Sequence, residues 1–350
     1  MMKTTNNKFF TAILLFVSFC LLYLFKPFLL TITIGILMAV STASLEKKIL
    51  KLTGDRKTLS AIFITVILCV FFLIPIIYTA ISLAKHASEV NMEHIAATID
   101  GLKHYDFNLP SSISFLEPKI KTLISGIDIK ALIGKSLDYL GVIGKSSANF
   151  IIDMGFIVVF YFFANLYGSS LIKFIKDILP IEKDDLDLIF SELSNTMSVV
   201  IYSTILNVVL QGSLFAIIAS IYGHDALLLG ILFAFASLIP VVGGALIYVP
   251  ITIYEIYQGN IVDGIVILVY SIVVISTIAD NFIKPVIIAF INKKMVEKPA
   301  NINEILIFFS MLAGMSTFGF WGIILGPAIV TFFLSVLKLY AMIKEDKILF

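Results

Sequence analysis

Long apolar runs constrain this chain more than any other feature. Each is close to the ~20 residues that cross the ~30 Å hydrocarbon core of a bilayer as a helix. Hydrophobic residues make up 59% of the 350-residue chain and charged residues only 14%, against about a quarter in an ordinary soluble domain. We therefore expect an all-α polytopic membrane protein. Six full spans are predicted, at about 9–25, 28–45, 58–83, 150–167, 196–222 and 261–280.

Two further apolar blocks, 226–257 and 304–337, are interrupted by glycine and proline in "SLIPVVGGALIYVP" and "GMSTFGFWGIILGP". The first block would make a helix of about 48 Å, too long for one span and too short for two. Irregular backbone at membrane depth is tolerated only where protein or a water-filled cavity covers it. We interpret both blocks as re-entrant broken-helix hairpins. A pair of kinked ordinary helices is the alternative.

Lysine and arginine in the short loops predict the orientation. The basic N-terminus, connectors and C-terminal tail are expected in the cytoplasm. If 226–257 crossed the membrane once, the lysines of the 284–303 loop would lie outside, against this rule, whereas a hairpin keeps them inside. The expected organisation is three N-terminal spans in 1–83, an extracytoplasmic helical domain in 84–149, a span at 150–167, a cytoplasmic amphipathic connector at 168–195, a transport core with both hairpins in 196–340, and a cytoplasmic tail at 341–350.

Several kinds of chemistry have no counterpart in the sequence. A net charge of +1 offers no basic patch for nucleic acid. Cys20 and Cys69 lie in apolar runs without a second ligand, so neither a disulfide nor a metal site is predicted. There is no phosphate-binding glycine loop, and all four histidines lie outside the predicted spans. We expect no cofactor and no enzymatic activity.

Three segments of the C-terminal half carry a family resemblance: "LIPVVGGALIYVP", "ADNFIKP" at 279–285, and "GMSTFGFWGIILGP". Together with "VLQGSLFAIIASIYG" upstream, they resemble the signature of the autoinducer-2 exporter family of bacterial inner-membrane permeases. The resemblance is specific over about 195–340. Lys284 stands where the family pattern usually has arginine, and "AVSTASLEKK" lacks the proline usual after the second span. The family includes exporters of autoinducer-2, a small oxygen-rich signalling molecule of quorum sensing, and members that exchange sodium or lithium for protons.

The candidate pathway residues combine the helix breakers with polar groups of the core. They are Gln211, Pro240, Gly243, Gly244, Asp280, Asn281, Lys284, Pro285, Gly314, Gly319, Gly326 and Pro327.

Asp280 and Lys284 are four residues apart and would share a helix face. Pro285 disfavours a helical conformation at Lys284, so this pair is expected where the span ends. An ionisable residue retained in a membrane points to function, while an interfacial ion pair that ends the helix is the alternative. Asn281 beside the pair could donate to and accept from a polar solute.

Polar groups elsewhere have simpler interpretations. Asn165, Asn207 and Gln211 could form interhelical hydrogen bonds as readily as contact a solute. Glu255 is expected to be solvated near the outer surface, and His224 to be a surface residue of a short outer turn.

We expect the two hairpin tips to approach each other near the midplane, where unpaired N–H and C=O groups would bind a small solute or ion. Glycine suits such tips because it takes positive φ and allows close approach. Asp280, Asn281 and Lys284 would act as an inner gate or proton-coupling group.

The leading functional hypothesis is a secondary exporter of an autoinducer-2-like solute with proton coupling. The alternatives are a Na⁺(Li⁺)/H⁺ antiporter and a membrane scaffold or sensor that transports nothing. The resemblance implies a homo-oligomer, expected as a small ring in the inner membrane. Small residues in the second and fifth spans agree with close helix association.

The topology prediction can be tested with single cysteines at Ser112 and Asn301, in a background lacking Cys20 and Cys69. An impermeant thiol reagent should label Ser112→Cys but not Asn301→Cys in intact cells, because only the first is expected outside. Equal labelling of both would contradict the two-hairpin topology.

Overall fold

The computed structural model describes residues 2–89, 129–178, 183–240, 242–294 and 303–348, and within these ranges the chain forms helices joined by short turns, with no strand. Most of the expected extracytoplasmic domain, residues 90–128, lies outside the described residues. So does the 295–302 part of the lysine-bearing loop.

The first third of the chain is one series of helices. They are α1 Met2–Phe25, a 3₁₀ turn Lys26–Phe28, α2 Leu29–Ser41, α3 Ala43–Leu52, α4 Lys57–Leu68, a π-helix Cys69–Leu73 and α5 Ile74–Glu89. The first two expected spans therefore meet at a single 3₁₀ turn with Pro27 inside it, where proline's fixed φ and missing N–H are tolerated.

Two long helices follow, α6 Ile129–Ile178 and α7 Lys183–Ile221. Helix α6 continues through the expected boundary at 149/150 between the outer domain and the fourth span. Most of the expected connector at 168–195 is also helical, at the end of α6 and the start of α7. These domain boundaries stay predictions, because helix continuity does not define a membrane surface.

The last part of the chain alternates short and long helices. They are α8 Ala226–Ala236, α9 Ala245–Tyr257, α10 Ile261–Tyr270, a π-helix Ser271–Ile283, α11 Lys284–Lys294, α12 Glu304–Phe318, a 3₁₀ turn Gly319–Trp321 and α13 Gly322–Ile348.

The all-α membrane architecture is confirmed. Six helical stretches of the described residues are long and apolar enough to cross a bilayer: Phe9–Ser41, Lys57–Ser82, Asn149–Ile178, Asp184–Ile221, Ile261–Ile291 and Ile305–Lys338. Six spans were expected and six apolar helical stretches are found, but they are not the same six segments. Phe9–Ser41 combines the first two expected spans, and Ile305–Lys338 contains the second hairpin block.

The chain forms two compact units. Unit 1 comprises 1–71, 153–204 and 288–350, and unit 2 comprises 72–152 and 205–287. The Asp280 region and the first hairpin belong to unit 2, while the second hairpin belongs to unit 1.

Hydroxyl groups join helices inside unit 1. The Thr42 and Tyr161 hydroxyls are 2.8 Å apart, and Ser198 Oγ donates to the Ser41 carbonyl at 2.6 Å. Gly35 of α2 lies against α6, where an added Cβ would be 3.0 Å from the Tyr161 backbone nitrogen. A side chain at position 35 would therefore push α2 away from α6.

Unit 2 is built around stacked aromatic rings and touching backbones. The rings of Phe215 and Phe233 stack with centroids 4.5 Å apart, within a core completed by Ile218, Ile267 and Ile275. A Cβ added at Gly212 of α7 would lie 2.7 Å from the Gly230 carbonyl oxygen of α8. Glycine at this contact lets α8 pack directly on α7, which places the first hairpin beside the helix that carries Gln211.

Candidate functional site

A carboxylate and two amides meet inside unit 2. Gln211 Nε2 donates to Asp280 Oδ1 at 2.7 Å, and Asn207 Nδ2 lies 3.5 Å from the same oxygen, at the outer limit for a hydrogen bond. Gln211 is 5% exposed and Asn207 8% exposed, while Asp280 is half-buried. The cluster therefore presents a carboxylate that is partly accessible and oriented by buried amides.

The spacing of the two amides explains their convergence. Asn207 and Gln211 are four residues apart on α7, so they lie one above the other on one helix face. The sequence predicts Gln211 in the pathway and leaves two interpretations open for Asn207, an interhelical hydrogen bond or a contact with the solute. The i, i+4 spacing of the two amides was the signal that could have added Asn207 to the site.

Asp280 lies in a π-helical segment, whose turns are wider than those of an α-helix. In the π-helix Ser271–Ile283, backbone and side-chain bonds reach back five residues: the Lys284 N–H donates to the Ala279 carbonyl, and the Thr277 hydroxyl donates to the Ile272 carbonyl at 2.8 Å. Turns of this kind are rare and frequently lie at functional sites.

The expectation that Pro285 ends the span was wrong. Lys284 has φ −58° and ψ −45°, an ordinary helical conformation, and the helix continues as α11 to Lys294. The π-helix gives the physical reason, since its wider turn makes room for a ring that would otherwise clash with the preceding turn. The other π-helix likewise ends two residues before a proline, Pro75. Asp280 thus lies within the apolar stretch Ile261–Ile291 and not at its end.

The remaining members of the "ADNFIKP" segment differ in their surroundings. Lys284 is half-buried and close enough to Asp280 for an electrostatic interaction. Asn281 is exposed, and its amide donates to the Thr277 carbonyl of its own helix at 2.8 Å. The structure therefore joins Asp280 to Gln211 by a hydrogen bond and places the Lys284 charge near Asp280, while Asn281 and Pro285 are exposed.

The first hairpin consists of two helices that are too short to cross a membrane. Helix α8 has 11 residues and α9 has 13, or about 16 and 20 Å against ~30 Å of hydrocarbon. They contact each other through a turn that contains Pro240, and an added Cβ at Gly243 would overlap the Ala236 carbonyl.

Positive φ is not what requires glycine in this first tip. Gly244 has φ −60°, and an added Cβ there would lie 3.0 Å from the Phe233 ring. Gly243 is likewise absent from the residues with positive φ in the described chain. Close approach, the other expected reason for glycine, is confirmed at Gly243, whereas the expectation of positive φ was wrong at both glycines of this tip.

The second hairpin is held by backbone contact. Helices α12 and α13 fold back on each other so closely that a Cβ on Gly314 would overlap the Gly322 carbonyl, and one on Gly326 would overlap the Ser310 carbonyl. Gly319 at the tip has φ 62°, as a glycine turn predicts. Pro327 is fully buried inside α13.

The two tips belong to different compact units, so their expected approach to each other stays a prediction. Asp280 and the first tip belong to the same unit.

Known proteins similar to this chain share one description. Residues 9–342 match the family model described as AI-2E family transporter. A Helicobacter pylori protein (strain J99) named "Putative transport protein" is 34% identical over 332 residues, which covers 95% of each chain. A second H. pylori strain has a protein of the same name, 34% identical over 335 residues and again 95% of each chain. A like-named Aquifex aeolicus protein is 28% identical over 300 residues, 81% of this chain and 82% of its own length.

The backbone contact in the second hairpin predicts a difference between two glycines of unit 1. Gly326→Ala should lower thermal stability in detergent, by an amount corresponding to about 1–3 kcal/mol, because the new methyl group must displace a neighbouring helix. Gly155→Ala is the matched control: an added Cβ at Gly155 of α6 meets nothing within 4 Å, and alanine favours a helix over glycine by about 1 kcal/mol. Equal stability of the two variants would contradict the close packing.

Proposed function

Because the chain belongs to the AI-2E transporter family, we propose that it exports a small polar solute of the autoinducer-2 type and that protons drive the export. The resemblance of its C-terminal half to this family is confirmed over nearly the whole chain. Membership of this family and the six apolar helices together show that the chain is a multi-pass membrane transport protein. The solute and its coupling are the proposal.

The contact between Gln211 and Asp280 is the single observation that carries the proposal. An ionisable side chain within an apolar membrane helix costs about 2.5–3.5 kcal/mol at the helix centre, so a retained one points to a pathway. When ionised, the Asp280 carboxylate can only accept hydrogen bonds, and the two amides of α7 provide donors. When protonated, it gains a donor of its own.

This change of hydrogen bonding provides a coupling mechanism. Loss of the negative charge weakens the bond from Gln211 Nε2, because a bond to an ionised acceptor is roughly twice as strong as a neutral one. The hydroxyl groups of a polar solute would bind the ionised carboxylate for the same reason, so protonation of Asp280 weakens solute binding and releases the solute. A proton and a solute would thus alternate at one cluster, with Lys284 compensating the carboxylate charge in the absence of the proton.

The first hairpin supports the same location for the pathway. Its two helices are too short to cross a bilayer, and an interruption of this kind is tolerated in a membrane only where protein or a water-filled cavity covers it. The expectation of unpaired backbone groups at this tip was largely wrong, because the N–H groups of Ile239, Val242 and Gly243 all donate to nearby carbonyls. The hairpin packs on α7, the helix of Gln211, through Gly212 and Gly230. The glycines of the second hairpin remain candidate pathway residues, because a helix interruption within a membrane must be covered by protein or by a water-filled cavity.

A specific observation favours the Na⁺(Li⁺)/H⁺ antiporter as a second candidate. The Asn207 Oδ1 atom is buried and has no hydrogen-bond partner. A bare amide oxygen near a carboxylate is a donor set that small hard cations prefer. If cations are the substrate, flux should depend on Na⁺ or Li⁺ and not on autoinducer-2.

We further propose that both termini are cytoplasmic in the bacterial inner membrane and that several copies form a small ring. Native mass spectrometry in mild detergent should then show a single closed oligomer. A purely monomeric spectrum under conditions that preserve folded protein would contradict the ring.

Asp280→Asn tests the proposed mechanism, because it keeps the side chain's shape and removes its charge. Autoinducer-2 flux into or out of proteoliposomes under an imposed pH gradient should fall at least about tenfold, since a charged hydrogen bond of roughly 1.5–3 kcal/mol is lost. Any remaining flux should lose its dependence on pH.

Asp153→Asn, a second carboxylate within an apolar helix, is the matched control and should retain flux. Wild-type flux and pH dependence in Asp280→Asn would remove Asp280 from the mechanism. A wild-type protein that moves neither autoinducer-2 nor Na⁺ nor Li⁺ would favour the non-transporting scaffold instead.

A further inference from the structure

A second polar cluster of unit 2 involves neither Gln211 nor Asp280. The Glu255 carboxylate is 5% exposed, its Oε1 lies 2.9 Å from His224 Nε2, and its Oε2 accepts from Asn260 Nδ2 at 2.9 Å. The expectations of a solvated glutamate and a surface histidine were therefore wrong. Burying a carboxylate without partners is costly, and these two partners offset that cost.

The His224–Glu255 contact has the character of an ion pair. The two atoms are close, but the imidazole Nε2 does not meet the geometry of a hydrogen bond with any partner. The attraction consequently depends on the charge of the ring. The His224 side chain is 17% exposed, so protons can reach it.

The cluster joins the two ends of the first hairpin. His224 lies in the turn between α7 and α8, and Glu255 lies near the end of α9, so the pair ties the chain entering the hairpin to the chain leaving it. Two glycines with positive φ, Gly223 and Gly259, shape the turns that carry His224 and Asn260.

The other titratable groups around the pair have different roles. Asp225 caps α8 by accepting from the Leu228 N–H at 3.0 Å. Tyr254 presents its ring edge to the imidazole, with centroids 6.3 Å apart. Asp263 is in the first turn of α10, the helix whose Gly264 lies against the Glu255 side chain. None of these three has the close ionic contact that joins His224 to Glu255.

We propose that His224 and Glu255 form a proton-binding site that fixes the base of the first hairpin when the imidazole is protonated. Histidine is the side chain that ordinarily gains and loses its proton near neutral pH. Deprotonation removes the ionic attraction and leaves the carboxylate to Asn260 alone. The base of the hairpin would therefore loosen as the pH rises, independently of the protonation of Asp280.

The test measures the thermal unfolding of the purified full-length protein in detergent between about pH 6 and pH 8, a range that brackets ordinary histidine titration. The wild-type melting temperature should fall over this range by at least about 2 °C more than that of His224→Gln or Glu255→Gln. The double variant should resemble the single variants at pH 6, since either change removes the same interaction. Asp263→Asn is the matched control and should keep the wild-type slope.

Hydrogen exchange on the wild-type protein gives a second measurement that needs no variant to fold. After correction for intrinsic rates, the 221–226 and 257–261 amides should exchange at least about threefold more slowly at pH 6 than at pH 8, while 207–211 should not change with them. Identical melting slopes in the wild-type protein and in the His224→Gln, Glu255→Gln and double variants, or equal corrected exchange at both pH values, would overturn the proposal. Neither measurement requires transport. Failure of the proposed function would therefore leave this inference standing, and the two failures can be told apart.

Discussion

In lipid, every backbone N–H and C=O group must find a partner within the protein, and the rest of this structure depends on that requirement. It explains why the described chain consists of helices and why the turns between them are short. The 3₁₀ turns at 26–28 and 319–321 replace longer loops, and two π-helices absorb prolines without breaking a helix. Two buried or half-buried carboxylates lie where these helices change their hydrogen-bond pattern: Asp280 in a π-helix and Glu255 near the end of α9.

Unit 2 collects several of these places around its core. The π-helix carries Asp280, α7 supplies the amides of Asn207 and Gln211, and the first hairpin packs on α7 through glycine. At the base of that hairpin, Glu255 is paired with His224. The two acidic groups thus have distinct partners. Asp280, proposed to bind the proton and the solute in turn, is paired with amides, whereas Glu255, proposed to hold the hairpin, is paired with an imidazole as well as an amide.

The sequence predicted the helical membrane class and the helix interruptions near 237–244 and 319–321 because apolar length and helix breakers act locally, while the re-entrant topology stays a prediction. Gln211 and Asp280 were both named as candidates, but their contact could not be predicted because it joins residues far apart in the chain. Local rules failed where packing overrides them. Pro285 should have ended a helix, but a π-helix accommodates it, and Gly243 is required by a neighbouring carbonyl and not by φ. Burial of Glu255 could not be predicted, because its partner His224 comes from another turn.

The contact between α12 and α13 has a mechanical consequence. Where Gly314, Gly322 and Gly326 bring main chain against main chain, no flexible side chains lie between the two helices. Nothing at that contact can change rotamer or slide past a neighbour without a steric overlap. At this contact the pair is therefore stiff, and a displacement of one helix there displaces the other directly.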